Sequence, residues 1–265
     1  MIKSEFLKIF KSKKAWIVFI ILIIIAVADS FFAIYVESNP KNYNEYVGIN
    51  NPAYMSLISG SHTYTLIQIF HYLMPIFLML AYCDTYVKER KCGVALMQCT
   101  KQGRRKYFLN KTAVAFLFPF ILVGIPNLIN IFINTIFLHG GTNFAGMQTW
   151  PREDMGEVIF FSINHPYTTY FIFLLMNLIV YGLLSVMCQS LCFIFKDNRI
   201  VYLLSLTIWV GIYFSSRDFA IGYILQPFVC FDFPYIIYAF LAFLPAAFIS
   251  MAIAYYCVVK KKDEI

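Results

Sequence analysis

The sequence predicts an all-α integral membrane protein with six transmembrane helices, and three observations support this fold class. Of its 265 residues, 60% are hydrophobic and only 13% are charged, roughly half the charged share of an ordinary soluble domain. Several apolar stretches approach or exceed the roughly 20 residues that a helix needs to cross a bilayer. The Lys and Arg residues lie between these stretches rather than on one folded face, so the net charge of +7 does not indicate a nucleic-acid partner.

Six apolar segments are the predicted spans of a single domain that covers residues 1–265. They are residues 15–36, 66–86, 112–138, 168–195, 200–214 and 235–259. The fifth is short for a hydrocarbon core of about 30 Å. We therefore expect broken or re-entrant outer helices between the fifth and sixth spans, at 215–234. The long connecting loops 37–65 and 139–165 are not expected to bury a core of their own.

The basic residues predict the orientation of the chain. Of the 21 Lys and Arg residues, 18 lie before the first span, between the second and third, between the fourth and fifth, or after the sixth. Loops rich in Lys and Arg stay on the cytoplasmic side of a membrane. Both termini are therefore predicted to be cytoplasmic, in a multi-pass protein of the plasma membrane.

Residues 1–14 are predicted to form an interfacial amphipathic helix that precedes the first span. One face of this helix is apolar and consists of Ile2, Phe6, Ile9 and Phe10. The opposite face is polar and consists of Ser4, Glu5, Lys8, Lys11 and Ser12. Such a helix lies along the membrane surface with its lysines at anionic headgroups. The alternative is a charged leader that merely orients the first span.

The segment 87–111, between the second and third spans, has the most informative pattern. It contains a carboxylate, a glycine, a short apolar stretch, a second glycine and a basic pair. In order, these residues are Glu89, Gly93, Val94, Leu96, Met97, Gly103, Arg104 and Arg105. The apolar side chains are unusual for an idle loop. A short helix over 94–99 that docks into a groove on a cytosolic partner would account for them.

This pattern resembles that of the type 2 ATP-binding-cassette permeases, with Glu89, Gly93, Arg104 and Lys111 in the corresponding positions. The resemblance extends to the interfacial helix, the six spans with both ends inside, and the broken outer helices. One departure is the lack of a proline before the basic pair, where residues 100–103 read Thr-Lys-Gln-Gly. The pattern therefore leaves the end of the short helix undefined.

The resemblance implies the permease subunit of an ATP-driven exporter for a hydrophobic or amphipathic substrate. Permeases of this build resemble those that export antimicrobial peptides or confer immunity to them. In that family the segment 94–99 is the coupling helix, which docks on cytosolic ATPase subunits, and a second identical or related permease completes the route. The alternative is an intramembrane enzyme or a membrane scaffold that transports nothing.

The chain itself is not expected to be an enzyme or to bind a cofactor. It has no G-x-x-x-x-G-K-[ST] phosphate-binding loop, so ATP and magnesium are expected on the separate ATPase subunit. The seven cysteines lack the spacing of a metal site, and no metal is expected.

Polar side chains within the spans are candidates for lining a translocation route. They form stripes along the second, third and fourth spans, with one carboxylate in the first: Gln68, His71, Tyr72, Asn127, Asn130, Asn134, Asn177, Tyr181 and Asp29. Ionisable residues inside a membrane are often functional. The same side chains would also serve as hydrogen-bonding contacts between packed helices, and both interpretations stay open.

Overall fold

The computed structural model describes residues 2–38, 48–59, 64–153, 155–214, 221–228, 230 and 232–260. These residues are helical, apart from connecting segments and one isolated β-bridge between Asn50 and Asn143. The first half contains α1 (Ile2–Lys11), α2 (Lys13–Ser38), α3 (Tyr64–Tyr72), α4 (Met74–Leu78), α5 (Thr85–Lys91), α6 (Val94–Gln102), α7 (Arg104–Leu122) and α8 (Gly124–Phe137). The second half contains α9 (Glu157–Asn164), α10 (Pro166–Ile194), α11 (Asn198–Tyr213), α12 (Gly222–Leu225) and α13 (Phe233–Tyr255).

Four helical rods are long and apolar enough to cross a membrane: Lys13–Ser38, Arg104–Phe137, Pro166–Ile194 and Phe233–Lys260. The bent pair Thr65–Tyr72 with Met74–Lys91 makes a fifth where its two helices count as one span. These five coincide with the predicted first, third, fourth, sixth and second spans. The predicted fifth span is the shorter helix Asn198–Tyr213, and the predicted break at 215–234 is described only over 221–228, 230 and 232–234.

The bend of 50° in the second span lies at Leu73, between α3 and α4. Pro75 follows in the first turn of α4. Its ring collides with the preceding turn and it has no backbone N–H, so the helix is interrupted there. The same span contains a π-helical stretch, Met79–Cys83, before α5 begins. The polar stripe of Gln68, His71 and Tyr72 therefore lies on the far side of a kink from the charged segment that follows.

The predicted loop 87–111 is wrong in one respect, because nearly all of it is helical. The third rod begins at Arg104 rather than at 112, and the short helix α6 continues to Gln102 rather than ending at 99. The prediction failed because it followed hydrophobicity, and the first turns of α7 are basic. The third rod is interrupted at Val123, between Pro119 and Pro126, since a proline lacks the backbone N–H and its ring crowds the preceding turn.

The helix α10 packs against α7, α11, α12 and α13. One close approach occurs at Gly182, where an added Cβ would lie 2.9 Å from the ring and the carbonyl oxygen of Phe116. Without a side chain at this position, α7 and α10 come closer together than larger residues would permit. The end of the bundle that holds α1, α5, α6 and the start of α7 is called the charged end below.

The opposite end of the bundle is covered by residues 48–59 and by the segment after α8. Residues 50–59 are buried and contain no regular helix. Asn51 donates its backbone N–H to the carbonyl of Asn143 at 2.8 Å. Tyr54 packs between the rings of Phe144 and Phe228. The expectation of a long loop is thus incomplete, because this part packs into the bundle and has buried apolar contacts there.

Candidate functional site

The short helix α6 at the charged end begins and ends at glycines with positive φ. Gly93 has φ +72° and Gly103 has φ +81°, values that glycine adopts far more easily than residues with a Cβ. Gly93 precedes the first residue of α6 and Gly103 follows its last, so α6 is separated from α5 and α7 by one glycine turn at each end. Gly103 also supplies the helix end that the sequence pattern left undefined.

The side chains of α6 divide into a packed face and a free face. Ala95 and Cys99, four residues apart, are buried, and α6 packs against α5 and α7. Leu96 and Met97 are 46% and 51% exposed, while Val94 is half-buried. The structure therefore presents two adjacent exposed apolar side chains on a short helix outside the long apolar rods.

Basic residues surround this free face. Arg104 is half-buried and Arg105 is exposed in the first turn of α7, and Lys101 is exposed in the last turn of α6. The surface around Leu96 and Met97 is consequently cationic. A partner that binds here needs an apolar cleft with acidic residues at its edge.

Glu89, the carboxylate of the pattern that resembles the permease family, lies in a cluster of four charges. Its carboxylate is 2.9 Å from Nζ of Lys8 and 2.9 Å from Nζ of Lys111. The hydroxyl of Tyr107 donates a hydrogen bond to it at 3.1 Å. Glu89 thus faces the bundle, and in this arrangement it positions α5 rather than meeting a partner directly.

The fourth member of the cluster is Glu5, and it corrects the prediction for α1. Glu5 was assigned to the polar, headgroup-facing side, yet it is only 5% exposed. Its carboxylate lies 2.6 Å from Nζ of both Lys8 and Lys111. Glu5 is about 40° from Ile9 around the helix, so when Ile9 packs inward Glu5 turns inward with it.

Lys111 is the most deeply buried charge of the cluster, at 1% exposure. Its ammonium lies 5.6 Å from the centre of the Tyr82 ring and 5.9 Å from that of Tyr107, distances at which cation–π attraction operates. The two carboxylates and two ammonium groups alternate in a closed ring. Such balance is required at this depth, since an unpaired buried charge is costly.

The charge cluster joins three helices near α6. Glu5 and Lys8 belong to α1, Glu89 to α5 and Lys111 to α7. Burial lowers the pKa of Lys8, but hydrogen bonds and attraction from the two carboxylates outweigh it and raise the pKa above its ordinary value. The lysine therefore stays charged at neutral pH.

A second charged group fixes α2 to α5. Asp84 is bonded to Lys88 at 2.6 Å and lies 3.5 Å from Lys14. The helices α1, α2 and α7 are therefore all tied to the two ends of α5, which directly precedes α6. Ionic contacts among α1, α2, α5 and α7 therefore hold the helices next to α6 in place.

Asn130, one of the predicted route residues, is a hub of hydrogen bonds between elements. Its Nδ2 donates to Ala26 O, Asp29 Oδ2 and Ser30 Oγ at 2.9–3.0 Å. Its Oδ1 accepts the backbone N–H of Leu57 at 2.9 Å. This one amide thus joins α2, α8 and the buried segment 48–59.

The other asparagines of the stripes are buried in similar contacts. Asn134 donates to the Met55 carbonyl at 3.0 Å, and Asn177 donates to the Leu225 carbonyl at 2.9 Å. Asn127 donates to the carbonyl four residues earlier in its own helix. In this conformation Asn134 holds a non-helical segment against α8 and Asn177 joins α10 to α12, which favours the packing interpretation for them.

The stripes of the second and fourth spans meet at His71 and Tyr181. A hydrogen bond joins His71 Nδ1 and the Tyr181 hydroxyl, and Trp209 donates its indole N–H to the His71 carbonyl at 2.8 Å. Tyr72 packs edge-on against Tyr213, while Gln68 is half-buried on α3. The structure thus joins α3, α10 and α11 here by polar and aromatic contacts.

Sequence reasoning identified the charged end but missed how its residues pair. Lys111 was noted only as the basic residue that enters the third span, and Glu5 and Lys8 only as surface charges. A lysine within an apolar stretch is a usable signal, because it requires a carboxylate nearby. The sequence offers 14 acidic residues as partners, and nothing in the local pattern selects Glu5 and Glu89.

Comparison with known proteins leaves the family open. No protein-family model matches the chain, and no solved structure matches it. The chain is similar to the uncharacterized protein YybM of Bacillus subtilis strain 168, with 24% identity over 229 residues that cover 85% of each protein.

Proposed function

We propose that the chain is the permease subunit of an ATP-driven exporter, and that α6 is the element that docks on a separate ATPase. The observation that carries the proposal is the free face of α6. Leu96 and Met97 are about half exposed between two glycine turns, at the end of the bundle where basic residues accumulate. An apolar helix held in this way suits insertion into a groove of a cytosolic protein.

The ionic support of α6 is also what such a coupling element requires. A displacement imposed on α6 reaches α5 and α7 through direct packing, and reaches α1 and α2 through the two charged groups. Because the carboxylates of these pairs are largely buried and each bonds lysines of more than one position, the helices move together instead of absorbing the displacement locally. Motion of the ATPase would in this way reach the spans.

The proposed membrane arrangement has six spans, with the bent pair as the second and Asn198–Tyr213 as the fifth. Both termini and the charged end are cytoplasmic, and the buried segment 48–59 faces outward. A second permease subunit completes the route for a hydrophobic or amphipathic substrate. The buried asparagine contacts belong to a conformation that is closed at the outer end.

Docking is tested by substituting Leu96 with aspartate in the tagged full-length protein. The substitution places an unpaired charge in the groove, at a cost of several kcal/mol. We expect the ATPase to co-purify with the unaltered protein and with Leu96→Met, which preserves size and polarity, but not with Leu96→Asp. Equal recovery of the ATPase with both variants, at equal membrane insertion, would show that α6 is not the docking element.

The assignment of ATP hydrolysis to a partner is tested with the purified chain alone. We expect no ATP turnover above that of a mock preparation, and turnover that appears when the co-purified ATPase is added back. Turnover by the isolated chain would contradict the proposal. Failure of any ATPase to co-purify from the native host would favour the scaffold or enzyme alternative.

Orientation is tested with thiol reagents that do not cross membranes. Cys92 is exposed at the charged end, and Thr142 is exposed at the opposite end. In intact cells, Cys92 should react only after permeabilisation. In a protein that lacks Cys92 and Cys257, Thr142→Cys should react without permeabilisation. The reverse pattern would place α6 outside and overturn the docking proposal with it.

A further inference from the structure

We propose that a groove between α1, α2 and the rod formed by α7 and α8 binds one acyl chain of an anionic phospholipid, whose headgroup lies at Lys11 and Lys13. The site requires only that the protein is inserted in a membrane. It is independent of any ATPase, and its test does not depend on transport.

The groove exists because neighbouring helices pack in different pairs. The interfacial helix α1 packs against α7, while α2 packs against α8. Between these two contacts a cavity of about 140 Å³ remains, open on one side. Its lining is apolar and consists of Ile9, Phe10, Ala15, Trp16, Phe19, Phe118, Ile121, Leu122 and Ile125.

The shape and chemistry of the groove fit a hydrocarbon chain. From Phe118 to Ile125 the wall extends about 10 Å along the rod. Trp16 forms part of the opposite wall, and its indole N–H already donates to the Phe10 carbonyl at 2.8 Å. No polar lining surface is available to bind a polar ligand. An occupant must therefore be apolar along its whole inserted length.

The lysines that lie next to the lining residues in sequence select the headgroup. Lys11 is the last residue of α1 and directly follows the lining residue Phe10. Lys13 is the first residue of α2 and lies two positions before the lining residue Ala15. Both lysines are exposed, and neither forms an ion pair with any described residue. Lys14, by contrast, reaches Asp84. Two exposed cations that flank the lining residues in sequence, neither paired with a described residue, match a phosphate-bearing anionic lipid.

Trp16 provides a direct reporter of occupancy, since bromine atoms on a lipid chain quench indole fluorescence on contact. The full-length protein, carrying Trp150→Phe, is placed in phosphatidylcholine nanodiscs that contain rising fractions of brominated phosphatidylglycerol or brominated phosphatidylcholine. Trp209 is fully buried and stays in place. Its contribution is measured in a Trp16→Phe protein and subtracted.

We expect half-maximal quenching at a several-fold lower mole fraction of brominated phosphatidylglycerol than of brominated phosphatidylcholine. Lys11→Gln and Lys13→Gln should each weaken the phosphatidylglycerol response about fivefold. The matched control is Lys91→Gln with Lys101→Gln, which removes two exposed charges near α6 and should leave the response unchanged. Identical curves for the two lipids, or equal effects of both lysine pairs, would show ordinary lipid contact and overturn the proposal.

Discussion

Replacing Lys111 by methionine removes the most buried charge of the cluster at nearly constant side-chain length. The carboxylates of Glu5 and Glu89 would then share the single ammonium of Lys8, which is itself 44% exposed. One of two largely buried carboxylates loses its compensation. Breaking a buried ion pair in this way costs about 3–5 kcal/mol.

A loss of this size corresponds to a decrease in Tm of roughly 6–20 °C for a chain of this length. It is measured in detergent with a thiol-reactive dye, which reacts with Cys83, Cys188 and Cys192 only when unfolding exposes them. The reacting cysteines are buried in the bundle rather than in the cluster. The assay therefore reports global unfolding and not local loosening.

The double variant Lys111→Met with Glu5→Gln separates charge from packing. It restores balance, since Lys8 and Glu89 remain as a pair 2.9 Å apart. We expect the double variant to be more stable than Lys111→Met alone by about 1–3 kcal/mol. If the two decreases in Tm simply add, or if Lys111→Met alone has no effect, the reasoning about a buried charge balance is refuted.

Two further substitutions test the opposite end and the helix backbone. Asn130→Leu should lower the free energy of unfolding by about 2–4 kcal/mol and increase hydrogen exchange over 50–59, because the Leu57 N–H loses its acceptor. The control Asn164→Ala, at an exposed position, should change neither the stability nor the exchange. Gly141→Ala should destabilise the protein, since the added Cβ would lie 2.1 Å from the Asn50 carbonyl oxygen. The control is Gly211→Ala in α11, where an added Cβ meets no atom within 4 Å. This substitution should be neutral or stabilising by up to about 1 kcal/mol. Both pairs are compared by Tm, and a reversed order within either pair would contradict the contact on which it rests.

The positions of the spans could be predicted because hydrophobicity is a local property. Each long apolar rod lies within a few residues of the predicted segment, except where a polar helix leads into it. The start of α7 at Arg104 is such a case, since nothing apolar marks its first turns. The bend at Leu73 could have been predicted from the sequence, because Pro75 follows two residues later.

The pairing of charges could not be predicted, because it depends on contacts between residues far apart in sequence. Glu5 and Lys111 are joined only after α1 packs on α7. The helical pattern placed Glu5 at the edge of the polar face, where a rotation of about 40° decides between solvent and interior. The packing of Ile9 against the bundle turns Glu5 to the interior. The sequence of α1 alone does not indicate this rotation.

The asparagine stripes illustrate a different limit. A route through a membrane and a bond between packed elements require the same amide side chains, so composition could not distinguish them. In the described conformation Asn130 and Asn134 each bond backbone groups of the non-helical segment 48–59, as the packing interpretation predicts. Buried backbone groups need hydrogen-bond partners, and these amides supply them. In the permease that we propose, a conformation that opens this end of the bundle must therefore either move segment 48–59 together with α8 or supply water to the groups that the asparagines release.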